Sequence, residues 1–121
     1  MRIYKIASKI VFHASNDLFD RFDSKKQISG YYPGFYVSED IEFVKSFGKI
    51  INQFILKRDN FFDMDLESSE SIKNEAREAG YDVRNASGWG ESKYLLDKGY
   101  DGIRRGKELI VFNPEKSLEK I

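Results

Sequence analysis

Tyr100-Asp101-Gly102-Ile103-Arg104-Arg105-Gly106-Lys107-Glu108-Leu109-Ile110-Val111-Phe112 is the stretch on which the reading of the fold turns. Two apolar runs flank Arg105-Gly106-Lys107, a short turn with a central glycine, and this pattern predicts a β-hairpin. A hairpin pairs its strands antiparallel. Pro114 stops the second strand, and Ser117-Leu118-Glu119-Lys120-Ile121 reads as one more.

Upstream, strands and short helices are mixed. Residues 9–14 read as a strand running up to His13. Asn16-Asp17 is turn chemistry, and Phe19 with Phe22 suggests a helical turn anchored on the core. Residues 23–34 read as a loop ending at Pro33-Gly34, before a short strand Phe35-Tyr36-Val37. Ser38 is the expected cap of a helix with Glu39 and Asp40 in its first turn, where the dipole favours acids. Its buried stripe is Ile41, Val44 and either Phe47 or Gly48. Residues 49–57 are strand-like, and Phe61-Phe62-Asp63-Met64 is a shorter strand or turn. A polar helix is expected over 67–79, closed by Gly80. Asn85-Ala86-Ser87-Gly88-Trp89-Gly90 reads as a loop, and residues 92–98 as a second helix closed by Gly99. Without regular βαβ alternation, the pattern predicts an α+β fold with mainly antiparallel strands, in one domain spanning 1–121.

Composition narrows the function classes. Hydrophobic residues at 40% and charged residues at 33% describe a folded globular chain. Lys+Arg and Asp+Glu are 20 each, so no bulk field draws the chain to nucleic acid or membrane. Lys25-Lys26 and Arg104-Arg105 are local basic spots, more readily read as solvated loop charge than as a patch for a partner. There is no cysteine, which excludes disulfides, a thiol nucleophile and cysteine-ligated metal. A single histidine leaves no ordinary ligand set for zinc, so no metal is expected. The first residues lack the apolar core of a signal peptide, and no apolar run approaches a membrane span, so the expected location is cytoplasmic. No Gly-x-Gly-x-x-Gly follows a strand, which leaves a Rossmann domain unsupported.

Three polar residues stand at the ends of apolar strands: His13 in Ile10-Val11-Phe12-His13-Ala14-Ser15, Tyr36 in Gly34-Phe35-Tyr36-Val37-Ser38, and Glu108 in Glu108-Leu109-Ile110-Val111-Phe112. Each alone has a structural reading: a hydrogen-bonding histidine, a core tyrosine with a wet hydroxyl, an exposed strand-end carboxylate. Their order is more specific. With Phe19-Asp20-Arg21-Phe22-Asp23, Gly99-Tyr100-Asp101-Gly102-Ile103 and the closing Asn113-Pro114, they make five short motifs in sequence. This set resembles the ADP-ribosyltransferase superfamily in its His-Tyr-Glu branch, that of diphtheria toxin and the poly(ADP-ribose) polymerases. It is most similar in style to small transferase domains of bacterial toxins and phage polyvalent proteins.

The resemblance implies a compact fold of two small sheets with short helices and an NAD cleft between them. It implies NAD as co-substrate, with His13 on a ribose hydroxyl, the Ala14 backbone on the nicotinamide carboxamide and Ser15 adding a hydroxyl contact. Ala14 departs from the family's glycine, and its Cβ crowds that amide. Tyr36 would stack on the nicotinamide, with Phe47 as its sandwich partner or else as a core residue. Glu108 would be the catalytic residue, stabilising the ribosyl cation through the 2′-hydroxyl and deprotonating an acceptor. The Arg-Ser-Glu branch is disfavoured, because His13 replaces its first-strand arginine and Gly106 stands two before Glu108. The implied function is mono-ADP-ribosyl transfer to a macromolecular acceptor, protein before nucleic acid, as a phage or bacterial effector or toxin with a cognate antitoxin or inhibitor. An NAD glycohydrolase and an inactive transferase-fold binding module are the alternatives. Trp89, in the 84–90 segment, either lines the cleft or pins its loop to the core.

Overall fold

The computed structural model describes residues 9–16, 33–84 and 88–121. The expected helical turn at Phe19 and Phe22, the basic pair Lys25-Lys26 and most of the 23–34 loop lie outside the described residues. The element order is β1 (Lys9–Ser15), β2 (Phe35–Val37), α1 (Ile41–Val44), β3 (Ile50–Leu56), β4 (Phe61–Asp63), α2 (Leu66–Glu78), α3 (Trp89–Asp97), β5 (Gly102–Arg105), β6 (Glu108–Val111), α4 (Pro114–Ser117) and β7 (Leu118–Lys120). A 3₁₀ turn, Lys45–Phe47, continues α1. The strands form two open sheets, β1-β3-β7 and β2-β6-β5-β4, and every pairing is antiparallel except β4 with β5. The chain is therefore a mixed α+β structure with few and short helices.

The hairpin expected at the C-terminal end is present. Arg105 pairs with Glu108 and Ile103 with Ile110 across a two-residue turn, with Gly106 at φ +61°. Strand β6 lies between β2 and β5, and its Leu109, Ile110 and Val111 are all buried. Alternation sends these side chains to opposite faces. Leu109 and Val111 join Phe35, Val37, Val11, Phe54, Leu56 and Leu118 in the core between the two sheets. Ile110 and Ile103 join Met64, Ile72 and Leu95 in a second core under α2 and α3, flanked by Tyr36 and Phe112. The β2-β6-β5-β4 sheet is thus covered on both faces, by the other sheet and by helices.

Among the described residues, one backbone bridge joins the two sheets. Phe12 N–H donates to Ser38 O at 2.8 Å and Ser38 N–H returns to Phe12 O at 3.0 Å. That bridge explains one correction. Ser38 does not cap α1, because the bridge holds it extended and buried. Asp40 caps instead, in an extended conformation, its Oδ1 accepting from Glu42 N–H at 3.0 Å and Phe43 N–H at 3.3 Å. A second correction concerns Trp89 and Gly90, which are not loop but the first residues of α3. Glycine disfavours a helix locally, yet Gly90 lies so close to the Asp82 carbonyl that a Cβ would overlap it, and burial of Leu95 outweighs the propensity.

The Gly99-Tyr100-Asp101-Gly102-Ile103 motif has structural work throughout. Tyr100 packs edge-on against Phe62 at 5.5 Å, and Asp101 Oδ2 accepts from Asn60 N–H at 3.0 Å, tying the start of β4 to β5. A Cβ on Gly102 would overlap the Ile110 carbonyl oxygen and the Phe61 ring, so only glycine lets these strands close. Gly102→Ala is accordingly expected to lower the unfolding free energy by about 3 kcal/mol through overpacking. Gly106 has open space around its Cβ position, so Gly106→Asn should cost less than about 1 kcal/mol. Urea denaturation of the two variants checks the contrast, and equal midpoints would contradict it.

Candidate functional site

Apart from Phe47, which ends the 3₁₀ turn after α1, the site residues named from the sequence lie on three strands that are neighbours in space. His13 is on β1, which meets β2 at the inter-sheet bridge, and Tyr36 on β2 pairs with Ile110 of β6, the strand that opens with Glu108. His13 shares the inward face of β1 with Val11. Its ring stacks on Phe35 with centroids 4.2 Å apart and planes 25° from parallel. Nδ1 lies 2.8 Å from the Tyr36 carbonyl oxygen, which can only accept, so Nδ1 carries the proton. In the neutral ring Nε2 then keeps its lone pair and can accept from a hydroxyl. Burial among apolar neighbours holds the His13 pKa below its ordinary value, opposed by the bond to Tyr36.

The sequence did not single out Asn52. It pairs with His13 across β1 and β3, is buried, and donates through Nδ2 to Ser15 Oγ at 3.3 Å and more loosely to His13 O at 3.5 Å. Its signal was present: Ile50-Ile51-Asn52-Gln53-Phe54 places an amide at an inward position of an apolar strand, where a buried polar group needs partners. Ala14, between His13 and Ser15, pairs with Ile51.

Phe47 is brought to the same end of β1. Gly48 follows it, and a Cβ there would fall 2.7 Å from Ser15 N, C and O, so the turn after α1 presses directly on the Ser15 backbone. Phe47 itself is 59% exposed and touches Phe43 edge-on at 5.3 Å. Of the two options in the expected buried stripe, Phe47 is therefore outside it, while Val44 is buried as expected.

Glu108 shares the face of its sheet that carries Tyr36 and Ile110, two residues along β6. It is half-buried, and desolvation pushes its carboxyl above the ordinary value while the Arg105 guanidinium, 3.7 Å away, opposes the rise. Lys107 Nζ reaches Asp40 Oδ2 at 3.0 Å, tying the hairpin turn to the cap of α1. Residue alternation puts the Tyr36 ring on the opposite face of β2 from Phe35 and His13. The structure thus joins His13 to Tyr36 through the Tyr36 backbone, with the Tyr36 ring and Glu108 sharing the opposite face of that sheet. Trp89 does not pin its segment to the core; it is 61% exposed.

Compared with protein-family models, curated proteins and solved structures, the chain matches none. Among the described residues, no helix is long and apolar enough to cross a membrane.

The two perturbed groups have opposite pH signatures. His13 titrates below 6.5 in the fold, so its contribution to stability is complete above pH 6.5 and is lost as pH falls through the folded value. Glu108 titrates above 4.5, so its contribution is complete below pH 4.5 and is lost as pH rises through the folded value. Melting temperatures of the wild type, His13→Gln and Glu108→Gln across about pH 4 to 8 test both signs. The wild type's advantage over His13→Gln should shrink below pH 6.5, and Glu108→Gln should gain on the wild type above pH 4.5. Differences independent of pH would contradict the assignment.

Proposed function

We propose that this chain is an NAD-consuming mono-ADP-ribosyltransferase of the His-Tyr-Glu kind, with the junction of the two sheets as the NAD cleft. The observation that carries the reading is that residues 13, 36 and 108, distant in sequence, stand on three neighbouring strands, with His13 bonded to the Tyr36 carbonyl at 2.8 Å and the Tyr36 ring and Glu108 together on the other face of their sheet. That bond leaves Nε2 of the neutral ring to accept from a ribose hydroxyl. Ser15, held by Asn52, offers a hydroxyl on the same strand face. The half-buried Tyr36 and the exposed Phe47 are aromatic surfaces suited to a flat pyridinium ring. These residue types fit a dinucleotide, and Ala14 requires only that the nicotinamide amide sit slightly further from the strand.

Glu108 is the catalytic group in this reading. The bond from nicotinamide nitrogen to the ribosyl C1 breaks with its electron pair leaving on nicotinamide, and positive charge develops on C1 and the ring oxygen. A half-buried carboxylate beside the 2′-hydroxyl stabilises that charge with little solvent reorganisation. The acceptor's nucleophile then bonds to C1, and its proton passes to Glu108 or to water.

Incubation with isotope-labelled NAD and a cell lysate, with Glu108→Gln in parallel, tests the proposal. The wild type should release nicotinamide and label a macromolecule. The variant should bind NAD comparably and release nicotinamide about 100-fold to 1,000-fold more slowly. Release without labelling would replace transfer by hydrolysis. A folded wild type that neither binds NAD nor releases nicotinamide would sink the reading.

A further inference from the structure

The exposed tryptophan opens a separate line of argument. Trp89 lines a cavity of about 240 Å³ together with Pro33, Gly34, Ser92, Leu96 and Phe112, and Lys93 stands at its edge. The walls are mostly ring and aliphatic carbon. Ser92 is 5% exposed, and its Oγ has no hydrogen-bond partner. The preceding Glu91 also keeps one carboxylate oxygen buried and unpartnered, and these are the only such side chains among the described residues. Buried polar atoms left unpaired are costly, of order 1–3 kcal/mol each. Glu91 lies outside the cavity, but Ser92 is in its wall, and an unpaired hydroxyl there gains a partner if it turns toward a ligand.

We infer that this cavity is a nucleobase-binding slot, which takes one base with its sugar phosphate. An exposed tryptophan flanked by Leu96 and Phe112 offers a face on which a base stacks whatever its sequence. The Ser92 hydroxyl, closed off in this rotamer, turns about a single bond to offer a base edge both a donor and an acceptor. Lys93 is largely exposed, and its ammonium is paired only at 3.7 Å with Asp97, which leaves it able to meet a phosphate. The volume lies below the usual range for drug-sized ligands, about 300–1,000 Å³, so it suits a single nucleotide and not a dinucleotide. Gly34, just before β2, precedes Tyr36 by two residues, about 7 Å of extended chain. The slot therefore adjoins the proposed NAD site but shares none of the residues assigned to it, and the inference stands without that reading.

The chain has one tryptophan, so its fluorescence reports on this cavity alone. The four nucleoside monophosphates are titrated separately, with N-acetyltyrosinamide as the peptide-like probe and excitation at the red edge of indole absorption. At least one nucleotide should quench saturably. Leu96→Glu, at a position already 46% exposed and so tolerant of a charge, should weaken the binding by about tenfold or more without lowering the melting temperature. Ser92→Ala should weaken it several-fold, and His13→Gln should leave it unchanged. Three outcomes overturn the inference: no saturable quenching by any nucleotide, quenching indifferent to Leu96→Glu, or quenching by N-acetyltyrosinamide alone. Loss of quenching in His13→Gln would move the nucleotide to the proposed NAD cleft and would equally overturn the slot.

Discussion

Everything in this molecule depends on hiding one short strand from water on both faces. Leu109, Ile110 and Val111 are each 0–1% exposed, and consecutive residues of a strand point in opposite directions. One layer cannot bury such a run. The second sheet covers Leu109 and Val111, while α2 and α3 cover Ile110 through Ile72 and Leu95. At about 25 cal/mol per Å² of apolar surface, these two cores are the main source of stability for a chain of this size. The helices are short, and α2 is largely polar, because each has only one stripe to contribute.

That arrangement leaves a seam. The sheets share the inter-sheet core, yet β1 and β2 touch through one bridge, Phe12 to Ser38, and then part. Beside the bridge stand polar groups: His13 against the Tyr36 carbonyl and Ser15 against Asn52, with Glu108 at the start of β6 on the other face of its sheet. A histidine and an asparagine so close to a hydrophobic core must have their bonds supplied locally. The neighbouring backbone and Asn52 supply them here, and the resulting network gives the seam a defined geometry.

The parts of the fold legible in the sequence were those governed by local pattern. The hairpin at Gly106, the strands through Val11, Tyr36 and Phe54, and the helix closed by Gly80 follow from alternation, turn residues and helix-terminating glycine. Where the sequence reading failed, a distant contact had overridden a local preference. Ser38 is chemically a good cap, but its backbone is taken by Phe12, which lies 26 residues earlier in the chain. Trp89 and Gly90 look like loop, yet burial of the next residues recruits them to α3. Asn52 was overlooked because its partners, Ser15 and His13, lie on another strand.

By itself the sequence determined the kinds of element, the mainly antiparallel pairing and the exclusion of cysteine chemistry, because these depend on residue type and spacing. It also pointed to His13, Tyr36 and Glu108, because a polar residue ending an apolar strand is conspicuous in one dimension. Only the tertiary structure decided how those residues relate. It bonded His13 to the Tyr36 backbone, and it set the Tyr36 ring and Glu108 on the opposite face of the sheet. It exposed Phe47 and Trp89, each of which the sequence allowed to be core. The reason is physical: side-chain direction along a strand is periodic and can be read locally. Which face meets water depends on what other segments cover, and that is settled only when the whole chain has packed.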